Sequence, residues 1–195
     1  MKVMPATRNI AVVVGSLRRE SFSRAVAYAL AKLAPGHLKL DIVEIGQLSL
    51  YNQDLDADPP AEWVDFRDRI RSADGVLFVT PEYNRSVPGV LKNAIDIGSR
   101  PYGHSAWDGK PTGVVSVTPG GLGAFGANHH LRQSLVFLNM PTLQQPEAYL
   151  SNVGGQFQDG ELTDDSTRAF LTKYIEAYAG WVEKVVPAEA RVSAA

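Results

Sequence analysis

The feature that most constrains this chain is the run Ile10-Ala11-Val12-Val13-Val14-Gly15 and the loop Ser16-Leu17-Arg18-Arg19-Glu20-Ser21 that follows it. A β-branched apolar run of this kind is a strand buried on both faces, and here it halts at a glycine before hydroxyls and arginines. Beyond the loop, Phe22, Val26, Ala29, Leu30 and Leu33 recur at helical spacing until Pro35-Gly36 stops the pattern. The loop therefore joins the carboxyl end of a strand to the amino terminus of a helix, where outward N–H groups and the macrodipole favour an anion. Ser16, Ser21 and Ser23 add hydroxyls, and Arg18 adds a planar fork suited to phosphate oxygens. Serines before a helix are also ordinary N-caps and exposed arginines ordinarily face water, so both readings stand at this point. The loop lacks Gly-x-x-x-x-Gly-Lys-Ser/Thr and Gly-x-Gly-x-x-Gly, so a terminal monophosphate suits it better than a triphosphate or a pyrophosphate.

The rest of the chain repeats the same unit. Leu38 to Ile45 alternates like a strand near a sheet edge, Gly46 to Pro60 is a long polar loop, and Ala61 to Ala73 is an amphipathic helix carrying Trp63, Phe66 and Ile70. Gly75 to Thr80 is a buried strand, followed by the loop Pro81-Glu82-Tyr83-Asn84-Arg85-Ser86-Val87-Pro88-Gly89 and a helix over Val90 to Ile97. Thr112 to Val117 is a fourth strand, leading through Thr118-Pro119-Gly120-Gly121-Leu122-Gly123 to a helix from Ala124 to Leu138. A short apolar piece at Met140 to Leu143 supplies a fifth strand, and Asp164 to Val186 a last helix. Five β-α units in alternation predict an α/β fold: a flavodoxin-like, doubly wound, five-stranded parallel sheet in the order 2-1-3-4-5 with helices on both faces. In that order the loops after strands one, three and four meet at the switch point, and those are the three loops of unusual composition.

Composition bounds what such a fold does here. At 195 residues the chain suits one domain, expected over 1–187 with a flexible tail at 188–195. A formal net charge of −2 gives no support to nucleic-acid or other polyanion binding. The chain has no cysteine, which removes disulfides, thiolate nucleophiles and cysteine-based metal sites, so any redox chemistry must belong to a bound cofactor. No apolar run approaches the roughly 18 residues of a membrane span, and Met1-Lys2-Val3-Met4-Pro5 does not open a signal peptide; the expectation is a cytoplasmic protein. Asp54, Asp56 and Asp58 imitate the start of a calcium loop, but Pro59-Pro60 replaces its glycine turn and Asp65 its closing Glu, so no metal site is expected. His129 and His130 point about 100° apart on a helix and read as surface or subunit-contact residues rather than ligands.

The residues Gly15-Ser16-Leu17-Arg18 with Ser21, and Thr80-Pro81-Glu82-Tyr83-Asn84 running through Ser86-Val87-Pro88-Gly89-Val90-Leu91-Lys92-Asn93-Ala94-Ile95-Asp96, closely resemble the NADPH-dependent FMN reductases, in the branch with quinone, azo-dye and chromate reductases. The likeness runs from about residue 8 to 185. It implies a flavodoxin-like fold, non-covalent FMN, NADPH or NADH as electron donor, and a dimer or tetramer, for which the helix from Ala124 to Leu138 is the expected interface. Carried over by position, Ser16, Arg18, Ser21 and Ser23 hold the FMN phosphate, with Phe22 counted beside them as cofactor-binding. Pro81, Glu82, Tyr83 and Asn84 frame the isoalloxazine, and Ser116, Gly120 and Gly121 lie along its far edge. Ser23 stands where many relatives have Asn, and Arg85 where Tyr is common. Arg85 and Arg100 are the residues expected to attract an anionic substrate or the phosphates of the nicotinamide donor; Trp107 and Tyr102 either line the pocket or pin their own loop.

The function expected from all this is an NAD(P)H-dependent oxidoreductase that passes hydride through FMN to a quinone, free flavin, azo compound or oxidised metal anion such as chromate. No general acid or base of the protein is required for hydride transfer to FMN N5, so no catalytic side chain is expected. The alternative is a flavodoxin-type electron carrier that docks to protein partners. Such carriers tend to be markedly acidic with a Thr-rich phosphate loop, whereas this chain is near neutral and offers Arg18.

Overall fold

The computed structural model describes residues 6–186; the tail expected at 188–195 lies outside them. Successive residues of a strand point to opposite faces of its sheet, so an apolar run on a central strand feeds two cores at once. In β1 (Arg8–Val14), Ile10, Val12 and Val14 face one core while Ala11 and Val13 face the other. The first core is closed by α1 (Phe22–Leu33) and α5 (Asp165–Val185), through Val26, Leu30, Leu171, Ile175 and Val182. The second is closed by α2 (Ala61–Ser72), α3 (Gly89–Gly98) and α4 (Phe125–Phe137), through Trp63, Phe66, Ile70, Leu91, Leu131 and Leu135.

Between these layers lies one all-parallel sheet in the order β2-β1-β3-β4-β5, formed with β2 (Leu38–Val43), β3 (Gly75–Thr80), β4 (Thr112–Val117) and β5 (Ala148–Leu150). That is the flavodoxin-like arrangement expected from the alternation of elements. β3 and β4 are buried at every position and match the expected bounds residue for residue.

The fifth strand departs from expectation. Residues 140–143 do flank β4, but only at its first residue, where Thr112 forms a single bridge to Thr142. Pro141 and Pro146 have no N–H to give to a ladder, and regular pairing begins only at Ala148, opposite Val115. A hairpin absent from the sequence reading follows: β6 (Phe157–Gln158) and β7 (Glu161–Leu162) pair antiparallel around Asp159-Gly160, both left-handed with φ of 51° and 80°. Asp-Gly is the dipeptide that such a two-residue turn selects, and it lies in plain sight in the sequence.

Trp107 settles one of the alternatives left open. It is fully buried, its indole N–H donates to Ile95 O at 2.9 Å, and its ring lies against Gly98, where an added Cβ would come within 2.5 Å. Its role is to fix the connection between α3 and β4, whereas Tyr102 on the same connection is exposed. Gly98→Ala is expected to overpack this contact and lower stability by about 2 kcal/mol. Thermal unfolding of the variant without any ligand checks it; an unchanged midpoint would mean that the ring has room to move.

Candidate functional site

The loops that leave β1, β3 and β4 at their carboxyl ends enclose a cavity of about 260 Å³. Its walls are Ser16, Arg18, Ser21, Phe22 and Ser23 from the first loop, Pro81, Glu82 and Tyr83 from the second, and Val117, Thr118 and Pro119 from the third. Close packing beneath it depends on Gly15, where a Cβ would stand 2.7 Å from Thr80 Oγ1. Sheet order alone brings these three loops together, and every residue expected at a phosphate is among the walls.

The first loop has the electrostatics of an anion cradle. Ser21 caps α1, its Oγ accepting the Arg24 N–H at 3.2 Å, and Ser16 Oγ accepts the Arg18 N–H at 3.4 Å. A hydroxyl that accepts from backbone keeps its own proton to donate, so capping and ligand binding are compatible in one side chain. The N–H groups of Phe22 and Ser23, first in α1, meet no acceptor among the described residues. Arg24 is bound bidentate to Glu44 at 2.7 Å, and Arg8 is held by Glu183 and Asp74. Arg18, in contrast, has no ion-pair or hydrogen-bond partner for its guanidinium among the described residues. It is the exposed, unspent cation of the cavity.

The second loop is shaped by a tight turn. Tyr83 and Ser86 exchange N–H···O bonds of 3.0 Å, and the residues between them, Asn84 and Arg85, are both left-handed with φ of 53° and 65°. This is the two-residue hairpin that prefers Asn-Gly; Arg85 occupies the glycine position, at a steric cost of roughly 1 kcal/mol. The turn leaves Pro81, Glu82 and Tyr83 at the cavity and carries Asn84 and Arg85 to an exposed tip.

Glu82 does more than line the wall. Its Oε2 accepts the Ala127 N–H at 3.0 Å, capping α4, whose own N-cap residue, Ala124, has no side chain able to do so. The approach is possible because residue 126 is glycine: a Cβ there would sit 2.9 Å from the carboxylate. Ser86 Oγ and His130 Nδ1, 2.6 Å apart, make a second tie between the same two segments, while His129 Nε2 turns to Tyr149 OH at 3.0 Å. Burial pushes the Tyr149 phenol up to about 12, keeping it neutral.

In the third loop, Ser116, Gly120 and Gly121 lie outside the cavity's lining, to which Val117, Thr118 and Pro119 contribute. Ser116 is fully buried beneath the loop, its hydroxyl donating to Gly123 O at 2.6 Å. The Gly120 N–H is already taken by Thr118 Oγ1 at 3.1 Å, whereas the N–H groups of Gly121, Leu122, Gly123 and Ala124 have no acceptor among the described residues. Thr118, a hydroxyl at the end of β4 next to Pro119-Gly120, reaches the cavity and was not singled out from sequence. Arg100 is not brought to this site: α3 carries the chain away from the strand ends, and the guanidinium lies over the Tyr51 ring with its Nε donating to Tyr51 OH at 3.2 Å. Asp56, in the calcium-like stretch, accepts from Tyr51 OH at 3.0 Å and faces Arg67.

A flavodoxin-like sheet with a hydroxyl-rich anion cradle at its switch point defines a mononucleotide-binding α/β protein. The family model for NADPH-dependent FMN reductases matches residues 8–155. The chain is 61% identical over 181 residues, covering 92% of it and 97% of the relative, to a quinone reductase of Pseudomonas putida. It is 47% identical over 174 residues, covering 89% and 95%, to a 2-hydroxy-1,4-benzoquinone reductase of a Burkholderia species. Among solved structures, the flavoenzyme NAD(P)H:(acceptor) oxidoreductase FerB from Paracoccus denitrificans superposes with a TM-score of 0.87 at 41% identity, covering 92% of this chain and 99% of that one. The chain belongs to the NADPH-dependent FMN reductase family. It is an oxidoreductase with FMN as cofactor and NAD(P)H as electron donor. Among the described residues no helix is long and apolar enough to cross a membrane.

Removing the tertiary cap with Glu82→Ala is expected to destabilise the protein by about 1 kcal/mol, whereas Glu82→Gln, whose amide oxygen still accepts, retains most of it. Urea midpoints at constant m-value check this; equal loss in both variants would assign the effect to charge rather than to the cap.

Proposed function

We propose that this protein is an NAD(P)H:quinone reductase, NAD(P)H and H⁺ giving NAD(P)⁺ while a quinone becomes its hydroquinone. The observation that carries this reading is the combination of Arg18, unpaired among the described residues, the proton-bearing Ser16 and Ser21 hydroxyls and the open α1 N–H groups around one cavity. Beyond the cavity's third-loop wall of Val117, Thr118 and Pro119, the N–H groups of 121–124 also have no acceptor among the described residues. These residues fit FMN: an anion cradle at one end, the Pro81 to Tyr83 wall for a flat ring, and free donors for the edge of that ring on which reduction places negative charge. FMN held by these residues would supply the two-electron redox chemistry between the nicotinamide and the acceptor. Arg18, Ser16, Ser21 and Ser23 bind and orient the phosphate end, and Pro81, Glu82 and Tyr83 exclude water from one face. The Arg85 side chain, 74% exposed and 3.5 Å from Glu82 Oε1, keeps most of its guanidinium open to solvent and favours anionic acceptors and the phosphates of the donor. Support for a quinone comes from the two relatives named for quinone reduction. Free flavin, azo compounds and chromate remain further acceptors of the same reduced site, all served in the cytoplasm, where NAD(P)H is at hand.

A second copy of the chain completes the reading. Leu122, Phe125, Val136 and Phe137 are exposed on and before α4, and Phe137 is 80% exposed. An apolar face of this kind suits a homodimer or homotetramer. Light scattering is expected to give a mass of two or four chains, and a single-chain mass contradicts it.

Anaerobic addition of NADPH or NADH to the FMN-loaded protein is expected to bleach the flavin's blue absorbance band, and benzoquinone to restore it. Tight FMN binding without bleaching by either nucleotide would favour an electron carrier instead. Arg18→Ala is expected to weaken FMN binding by roughly tenfold or more with unchanged thermal stability, since a charge-assisted contact is lost and no core is touched. An unchanged affinity would remove Arg18 from the site.

A further inference from the structure

Behind the open N–H groups of the third loop runs a chain of buried polar side chains that phosphate binding does not use. Asn128, on α4, is fully buried. Its Nδ2 donates to Ser116 Oγ at 3.1 Å and lies 3.4 Å from Ala148 O, and its Oδ1 accepts from Arg132 Nε at 2.9 Å. Arg132 is anchored in turn by Nη1 on Leu143 O at 3.2 Å. Ser116, receiving the amide proton, has two acceptors for its own, Gly123 O at 2.6 Å and Ala148 O at 3.2 Å, of which the loop carbonyl is the nearer. Asn128 thus spends both its oxygen and its nitrogen, and donation runs from Arg132 through Asn128 to Ser116, whose nearest acceptor is the loop carbonyl.

What that carbonyl belongs to is a strained reversal. Gly123 and Ala124 are consecutive left-handed residues, with φ of 58° and 54°. A Cβ at Gly123 would come within 2.6 Å of the Tyr149 Cβ, and Ala124 carries its own Cβ at a cost of roughly 1 kcal/mol. Such a turn persists only where its surroundings over-determine it. The surroundings here are Ser116 on Gly123 O, Ser151 Oγ donating to Gly121 O at 3.1 Å and Asn152 N–H donating to Gly120 O at 2.9 Å. Every one of these bonds takes a carbonyl of the loop and leaves the N–H groups of residues 121–124 without a partner among the described residues.

We propose that Asn128 is a positioning residue for the redox step: acting through Ser116 on the Gly123 carbonyl, it holds the loop so that the N–H groups of 121–124 meet the reduced flavin, and so sets how strongly reduced FMN is preferred over oxidised. The proposal rests on the function given above. Donors fixed in advance where charge develops stabilise that charge without reorganising, and loosening their support lessens the stabilisation without touching the phosphate end.

Two substitutions test it. Asn128→Asp keeps an acceptor for Arg132 but cannot donate, and its carboxylate draws the Ser116 hydroxyl away from Gly123 O. Ser116→Ala removes only that hydroxyl and serves alone should Asn128→Asp not fold. In both, the preference for reduced over oxidised FMN is expected to fall by roughly tenfold, read as a midpoint potential about 30 mV lower for the two-electron couple. Oxidised FMN affinity changes by less than about twofold, since the phosphate contacts are intact. Arg18→Ala gives the opposite pattern, weaker binding of both forms at an unchanged potential. Hydrogen exchange over residues 118–130 in the FMN-free variants is expected to rise by roughly tenfold, a readout that stands whether or not the proposed reaction is right. Unchanged potential in the folded variants, or unchanged exchange across that segment, would overturn the proposal.

Discussion

Everything in this molecule depends on β1 pairing in parallel with both β2 and β3. Arg8 to Val13 register against Leu38 to Val43 on one side, and Ile10 to Val14 against Gly75 to Val79 on the other. Because right-handed crossovers from a central strand must leave toward opposite faces, the first connection places α1 on one side of the sheet and the later ones place α3 and α4 on the other. The loops at the strand ends are pulled apart at that point, and the cavity is the gap they leave. Few side chains are needed to make a binding site from it: the helix start supplies donors, and the sequence has only to keep an arginine and two hydroxyl protons unspent.

The three loops are not equivalent in how they are held. The first is stabilised locally, by serines that cap and turn their own backbone. The second and third are fastened to each other through α4, by Glu82 on the Ala127 N–H and Ser86 on His130. Helix α4 therefore acts as a strut between the wall at Pro81 to Tyr83 and the donor run at 121–124, with Asn128 and Arg132 tying it down to β4 and the segment before β5. This division matches what the ends of the cavity have to do. An anion cradle serves the same phosphate in every state, whereas donors facing a ring that changes charge must hold their geometry through the change.

Much of this was legible in the residues. β3 and β4 are apolar runs with no competing pattern, and the Ser-rich loop before Phe22 is bounded by a strand and a capped helix on either side. What escaped was set by long-range partners. Met140 to Leu143 reads as a strand, but Pro141 within it and Pro146 after it shift the pairing to Ala148 to Leu150, a register that only the neighbour β4 can decide. Ser116 is a site residue only by the family resemblance, and the structure buries it next to the end of β4 with its hydroxyl on Gly123 O. Glu82 read as part of the ring wall, and its role as the cap of a helix 45 residues away has no local sign. Arg100 carried the charge expected of a substrate residue, but the path of α3 delivers it to Tyr51. The Asp159-Gly160 turn, by contrast, is specified by its own dipeptide and needs no distant partner.

The central claim is that the cavity at the switch point grips a phosphate monoester, and comparison of FMN with riboflavin tests it most directly, because the two differ only in that group. Titration of the cofactor-free protein with each is expected to give FMN an affinity at least about a hundredfold higher, from several charge-assisted hydrogen bonds to one dianion. Equal affinities would mean that the loop from Ser16 to Ser23 does not hold the phosphate, and would contradict the account from its first step.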